Sequence, residues 1–263
     1  MSTRIIGLVQ ARTNSSRLPK KVLAQIEGKP LVWHIVNRLK RVQKITDVVI
    51  STTNNDADKQ LCRFAESENI SYYAGSEEDI LDRLYQTGKK FNASILVKVN
   101  GDCPLVDPTV IDRGLEMYLE TKKTPDLVVN TIKNTFPDGM QFGIFNFHTL
   151  TNLWLEIRDK FWREFIYMYL VENRKIFKIL NLENPTNLSH LRWVVDYPED
   201  LEFVRQVYSH LYVQNPNFAM IDVLSLLEKK PHLTQINSKY IANASKIEYE
   251  KLKNKHEKNI NLL

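Results

Sequence analysis

The chain has 263 residues, 43% apolar and 25% charged, with a formal net charge of +5, the proportions of a soluble α/β domain with additions. No apolar run reaches the ~18 residues of a membrane span, and two cysteines, Cys62 and Cys103, are too few for a disulfide framework, so a reducing cytoplasm is expected. The excess charge is confined to residues 229–263, where eight lysines stand against three glutamates; the rest of the chain balances at zero, which leaves a general nucleic-acid-binding surface without support.

The first residues, MSTRIIGLVQARTNSSRLPKK, carry neither the apolar core nor the cleavage site of a secretory leader. Residues 5–9 (IIGLV) read as a buried strand. A polar stretch follows, with Arg12, Arg17 and Lys21 set around Ser15 and Ser16. Cations, hydroxyls and backbone donors in one loop suit an anion, above all a polyphosphate; the alternative is a solvated basic loop. It holds no glycine, so it is not a Walker loop. Leu31, Val32, Ile35, Val36, Leu39 and Val42 then recur at helical spacing behind Pro30. Residues 47–52 (DVVIST) are the next strand and 56–68 a helix. Within YAGSEEDILDRLYQ, Ser76 is placed to cap a helix over 77–91, with Asp79 resembling the other half of a capping box.

Residues 94–99 (SILVKV) form a third strand, followed by NGDCPLVDP. An aspartate at the carboxyl end of such a strand points into a ligand crevice, where Asp102 is a natural Mg²⁺ ligand beside a phosphate. Gly101 permits close backbone approach; an Asx turn is the plain alternative. Asp107 is an N-cap for a helix over 108–119. In the second half, 127–130, 142–145 and 177–182 read as strands and 161–171 as a helix. Residues 192–195 read as a short strand ending at Asp196, before helices over 198–211 and 219–227. Asp102 and Asp196, from separate strand ends, can share one hard cation, whereas Glu199 and Asp200 complement a helix dipole. The six histidines fall at no zinc-like spacing, and Cys103 has no histidine partner in sequence for a thiol nucleophile. The end, KIEYEKLKNKHEKNINLL, reads as a solvated, weakly amphipathic helix. Strand and helix alternate, which predicts a mostly parallel sheet with helices on both faces.

Four stretches, IIGLVQARTNSSRLPKKVL, GSEEDILDRLYQ, VNGDCPLVDPTVID and LSHLRWVVDYPEDLEFVR, together resemble one family. It is that of the cytidylyltransferases related to spore-coat polysaccharide biosynthesis proteins and to the CMP-ketodeoxyoctulosonate and CMP-acylneuraminate synthetases. The resemblance implies a Rossmann-like nucleotide-diphospho-sugar transferase fold. The nucleotidyltransferase domain would span residues 1–228, less regular over about 133–190, with a Lys-rich helical extension over 229–263. It implies transfer of CMP from CTP to an acceptor, an acidic sugar for surface glycan, with Mg²⁺ as cofactor and pyrophosphate released. A phosphonate or sugar-1-phosphate acceptor is the alternative, and a non-catalytic nucleotide-binding protein the rival of another class. A homodimer is implied, with no nucleic-acid or membrane partner.

Carried over by motif, Arg12, Lys21, Asp102 and Asp196 would be catalytic, with Asp102 and Asp196 holding the metal. Ala11, Ser16, Arg17, Gly75, Ser76 and Arg83 would join them at the nucleotide. Asp79, Asp138, Gln141, Arg163 and Glu164 would meet the acceptor. Three departures stand out. Lys20 replaces an expected glycine, Gln141-Phe142-Gly143 replaces an acidic D-x-E pattern, and Phe165 stands where a histidine is expected. An amide can donate where a carboxylate only accepts, so Gln141 suits a more anionic acceptor.

Overall fold

A computed structural model describes residues 3–260. The first two residues of the expected domain and the last three of the expected terminal helix lie outside them. β1 (Ile5–Gln10) is followed by a small hairpin, β2 (Gln25–Ile26) and β3 (Lys29–Pro30), then α1 (Leu31–Leu39), β4 (Asp47–Thr53), α2 (Lys59–Ser67), β5 (Ser71–Gly75), α3 (Ile80–Lys90), β6 (Ile95–Asn100) and α4 (Pro108–Glu120). Beyond them come β7 (Leu127–Val129), β8 (Phe142–Asn146), α5 (Phe147–Glu156), α6 (Lys160–Glu164), α7 (Ile166–Glu172), β9 (Ile179–Asn181), α8 (Pro198–Leu211), α9 (Met220–Lys229) and α10 (Ala244–Ile260). Among the described residues no helix is long and apolar enough to cross a membrane.

One seven-stranded sheet runs in the order β5-β4-β1-β6-β8-β7-β9. The β5-β4-β1-β6 and β7-β9 pairings are parallel, and β8 runs antiparallel between β6 and β7. Successive side chains on a strand face opposite ways. Val97 and Val99 accordingly join a core with residues of α1, α4, α8 and α9, while Leu8 and Leu96 join a second core with residues of α3, α5 and α7. The chain leaves β1 toward β4 on one side and returns to β6 on the other. That reversal is the switch point where such sheets open a crevice at the strand ends.

One strand is unexpected, and three expected elements differ in detail. β5 was not foreseen: it is a partly exposed edge strand (SYYAG) paired only with β4, so it shows no buried alternation. α3 begins at Ile80, not Glu77, because Asp79 is its N-cap, accepting from the Asp82 N–H, while Ser76 accepts one turn earlier from the Asp79 N–H. The helix expected over 161–171 is two, α6 and α7, broken at Phe165 with φ −102° and ψ 39°. Residues 192–195 are extended but make a single bridge, from Arg192 to Asp138, rather than a strand. They cross the strand ends, with Trp193 donating to Asp138 O and Val195 to Asp102 O.

The Lys-rich end is docked rather than free. On α10, Tyr249 is buried and donates to Glu172, Lys253 pairs with Glu172 at 2.7 Å, and His256 stacks on Phe161 with ring centroids 4.3 Å apart. The boundary expected at 228 also falls inside packed structure. α9 runs to Lys229, and Asn237 and Asn243 reach back to Asp200 and Asp138.

Candidate active site

The loop after β1 is braced before it turns. Thr13 donates its N–H (2.6 Å) and hydroxyl (2.7 Å) to Asp58 Oδ1, and Thr53 donates its hydroxyl to Oδ2. Burial alone would raise the Asp58 carboxyl; these donors outweigh it and hold it below its usual range. Thr13 O accepts from the N–H of Ser15 and of Lys20, closing the loop on itself. Lys20 stands at φ 60° and ψ 19°, the left-handed conformation that glycine adopts without a Cβ penalty. The expected glycine thus marks a real backbone demand, which Lys20 meets at a steric cost.

That turn delivers Lys21 into the crevice, 8% exposed. Its Nζ donates to Asp102 Oδ2 at 2.9 Å, Asp196 Oδ1 at 2.8 Å and Val195 O at 2.8 Å. Arg17 adds a pair to Asp196 Oδ1 at 3.0 Å. Burial alone would depress Lys21, but Asp102 and Asp196 more than offset it and raise its pKa. Asp196 shows the converse: burial opposes its charge, and Lys21, Arg17 and Arg192 together hold it below the ordinary range. Burial, with the Asp102 carboxylate nearby, pushes the Cys103 thiol up, so it supplies no thiolate.

Asp102 is positioned by a close backbone approach. A Cβ on Gly101 would lie 2.7 Å from Ala11 Cβ and 3.0 Å from Gln10 O. Backbone cannot yield as a side-chain tip can. Gly101→Ala is therefore expected to destabilise the fold by about 1–3 kcal/mol and to lower turnover, read by thermal unfolding and a rate assay; an unaltered melting temperature would remove the constraint.

Asp196 is positioned from behind. Asp200, wholly buried, accepts from the N–H of Asp196 and of Tyr197 at 3.0 Å and from Arg192 Nε and Nη2 at 2.8 Å each. Arg192 also approaches Asp138 and Asp196 at 3.5 Å. Asn237 donates to Arg192 O and Asp200 Oδ1.

The remaining expected residues fall into smaller groups. Arg12, exposed, pairs with Glu77 at 3.3 Å, and Arg83 donates to Ser76 O and Glu77 O. Gly75, ending β5, lets Tyr73 and Arg83 pack close: a Cβ there would meet the Tyr73 ring at 2.6 Å. Asp79 pairs with Arg163 at 2.7 Å, and Arg163 also donates to Trp154 O and Ile157 O. Asp138 is buried, its Oδ1 taken by Gln141 Nε2 and its Oδ2 by the Asn243 N–H. Gln141 Oε1 accepts from Gly139 N–H, so both residues are committed to internal bonds. Ala11 is buried beneath Gly101, while Ser16 and Glu164 are exposed.

Arg17, Lys21, Asp102 and Asp196 thus form one cluster at the switch point. Among the described residues no group of three or more His, Cys, Asp or Glu converges on a metal. Two carboxylates still fit Mg²⁺, which keeps waters and takes one or two protein carboxylates together with substrate phosphates.

The cytidylyltransferase family profile matches residues 6–243. The chain belongs to this family. It is 31% identical to the uncharacterized protein MJ1063 of Methanocaldococcus jannaschii, over 89% of this chain and 95% of that protein. It is 24% identical to the spore coat polysaccharide biosynthesis protein SpsF of Bacillus subtilis, over 86% and 95%. A solved cytidylyltransferase of Leptospira borgpetersenii superposes with a TM-score of 0.84 at 28% identity, covering 89% of this chain and 98% of that one.

Within this cytidylyltransferase fold, motif reasoning missed the supports. Asp58 lies in the polar segment after β4, and only its contact with Thr13, 45 residues away, marks it. Arg192 and Asp200 stood in view in RWVVDYPED, but nothing local says they pair. The lone lysine in SILVKV was the one visible signal for Lys98.

Proposed function

We propose that this cytidylyltransferase takes CTP and transfers CMP to an anionic acceptor, an acidic sugar for surface glycan, with release of pyrophosphate. The observation that carries the reading is Lys21 Nζ held between Asp102 and Asp196 at the switch point, with Arg17 beside it. Nucleotidyl transfer needs in-line positioning and charge neutralisation more than a covalent nucleophile. An acceptor oxygen attacks the α-phosphorus and pyrophosphate leaves; Arg17 and Lys21 offset the charge that builds on the phosphoryl oxygens. Arg12 and Arg83 extend the positive wall toward β5, where Ser76 and Gly75 offer a nucleotide surface. Asp102 and Asp196 would hold Mg²⁺, which, bound with substrate, supplies further neutralisation of phosphate charge. Asp79 with Arg163, and Asp138 with Gln141, shape the acceptor side through the pairs they make. The reading includes a homodimer in the cytoplasm, checked by light scattering.

The test is a matrix of the four nucleoside triphosphates against sugar acids, sugar 1-phosphates and phosphonates, with Mg²⁺ and pyrophosphate release as readout. CTP with a sugar acid is expected to give the highest rate. Preference for a sugar 1-phosphate or phosphonate would replace the acceptor, and no pyrophosphate from any pairing would reject the reaction.

A further inference from the structure

β6 (ILVKVN) carries one cation, Lys98. Alternation puts its side chain on the face of Leu96, covered by residues of α3, α5 and α7. Its partners in register are Leu8 on β1 and Gly143 on β8. One brings an aliphatic chain and the other no side chain, so neither neighbouring strand supplies a counter-charge. Lys98 Nζ donates to Asn100 Oδ1 at 2.8 Å, a neutral amide on an exposed residue at the strand end. Among the described residues no carboxylate comes within ion-pair distance of it. The nearby Asp102 is already paired with Lys21 at 2.9 Å, and the Arg83 guanidinium adds like charge. Burial, partly opposed by Cys103 and Asp102 and reinforced by Arg83, holds the Lys98 ammonium down to about 8. A lysine drawn into a protein interior is ordinarily paired with an anion; Lys98, partly buried four residues before Asp102, has a neutral amide as its hydrogen-bond partner.

We propose that Lys98 is the acceptor-recognition residue of this site, taking the carboxylate or phosphate of the acceptor against its ammonium. The inference rests on the CMP-transfer reading and adds the group that selects an anionic acceptor. Gly143 brings no side chain beside Lys98, and the Tyr167 ring packs over it: a Cβ on Gly143 would lie 2.7 Å from that ring, whose hydroxyl is held by Thr131 and Phe142 O, so Tyr167 walls the Lys98 site on the β8 side. Asp102 of the Lys21 cluster is near enough to act on the Lys98 charge, so an anion held by Lys98 would lie beside that cluster.

Two measurements on the full chain test this. Pyrophosphate release with CTP and Mg²⁺ is compared for wild type, Lys98→Met and Lys98→Arg against a 2-keto-3-deoxy sugar acid, a sugar 1-phosphate and a neutral hexose. Lys98→Met is expected to lower kcat/KM for the preferred anion by about tenfold or more while KM for CTP holds, and Lys98→Arg to recover most of the loss. An acceptor KM unchanged in Lys98→Met overturns the assignment. Independently of turnover, acylation of Lys98 in the wild type is followed by mass spectrometry in the presence of each compound. The anions should slow it and the hexose should not; the stronger protector distinguishes carboxylate from phosphate. Protection by neither anion overturns the proposal. Protection without pyrophosphate release from any acceptor would reject the transfer reading and leave the Lys98 anion site standing.

Discussion

Asp102→Asn is expected to lower CMP transfer by about 10²–10³-fold with little change in melting temperature. Asp102 is only partly buried, with its side chain 23% exposed. Its carboxylate has two side-chain contacts, Lys21 Nζ at 2.9 Å and Cys103 Sγ at 3.4 Å. An amide of the same shape still accepts from Lys21, and Lys21 keeps Asp196 and Val195 O, so the fold loses little. On the proposed metal assignment the chemistry loses more, because the amide would bring no negative charge to Mg²⁺. The experiment is a rate measurement over a Mg²⁺ titration beside a thermal melt. Full activity at ordinary Mg²⁺ would remove Asp102 from the metal assignment, and a collapsed melt would show a structural residue instead.

Asp200→Ala should act in the opposite sense, on stability first. Asp200 is wholly buried and accepts from Arg192 twice, from the N–H of Asp196 and Tyr197, and from Asn237. Truncation strands a guanidinium whose side chain is 5% exposed and uncaps α8. Breaking a buried pair from one side costs about 3–5 kcal/mol, a fall of about 10 °C for a chain of this size. Asp138 and Asp196, each 3.5 Å from Arg192, soften the loss toward the lower figure. Asp196 would also lose the donor–acceptor frame that aims it at Lys21, so activity should fall at temperatures where the variant is still folded. Asp200→Asn keeps an acceptor for the backbone N–H groups and should lie between. A melt of Asp200→Ala within a degree or two of wild type would reject the network as a structural support.

These two expectations divide as the sequence itself divides. β1, α1, β4, β6 and α4 were readable because short apolar runs, Pro30, Asp107 and Pro108 state their conformation locally. The loop between β1 and Lys21 was readable as charged, and Asp102 as a strand-end carboxylate. β5 was not readable, because an edge strand with one partner lacks the buried alternation that marks a strand. The break at Phe165 was equally hidden, since FWREFIYMYL keeps an apolar content that suits one helix as well as two. Asp138 and Gln141 looked available for an acceptor, yet their polar atoms are spent on each other, Gly139, Asn243 and Arg192.

Local chemistry along the chain determined the alternation of the main strands and helices of the first half, the basic loop, the strand-end aspartate and, through the ordered motifs, the cytidylyltransferase family. Tertiary structure alone decided which charges meet. Lys21 finds Asp102 from 81 residues away and Asp196 from 175, distances over which residue type carries no information about pairing. The physical reason is the sheet: parallel strands gather the chain's remote turns at one edge. There a cation meets two carboxylates to form the proposed substrate cluster, while Lys98 stands between a leucine and a glycine in register.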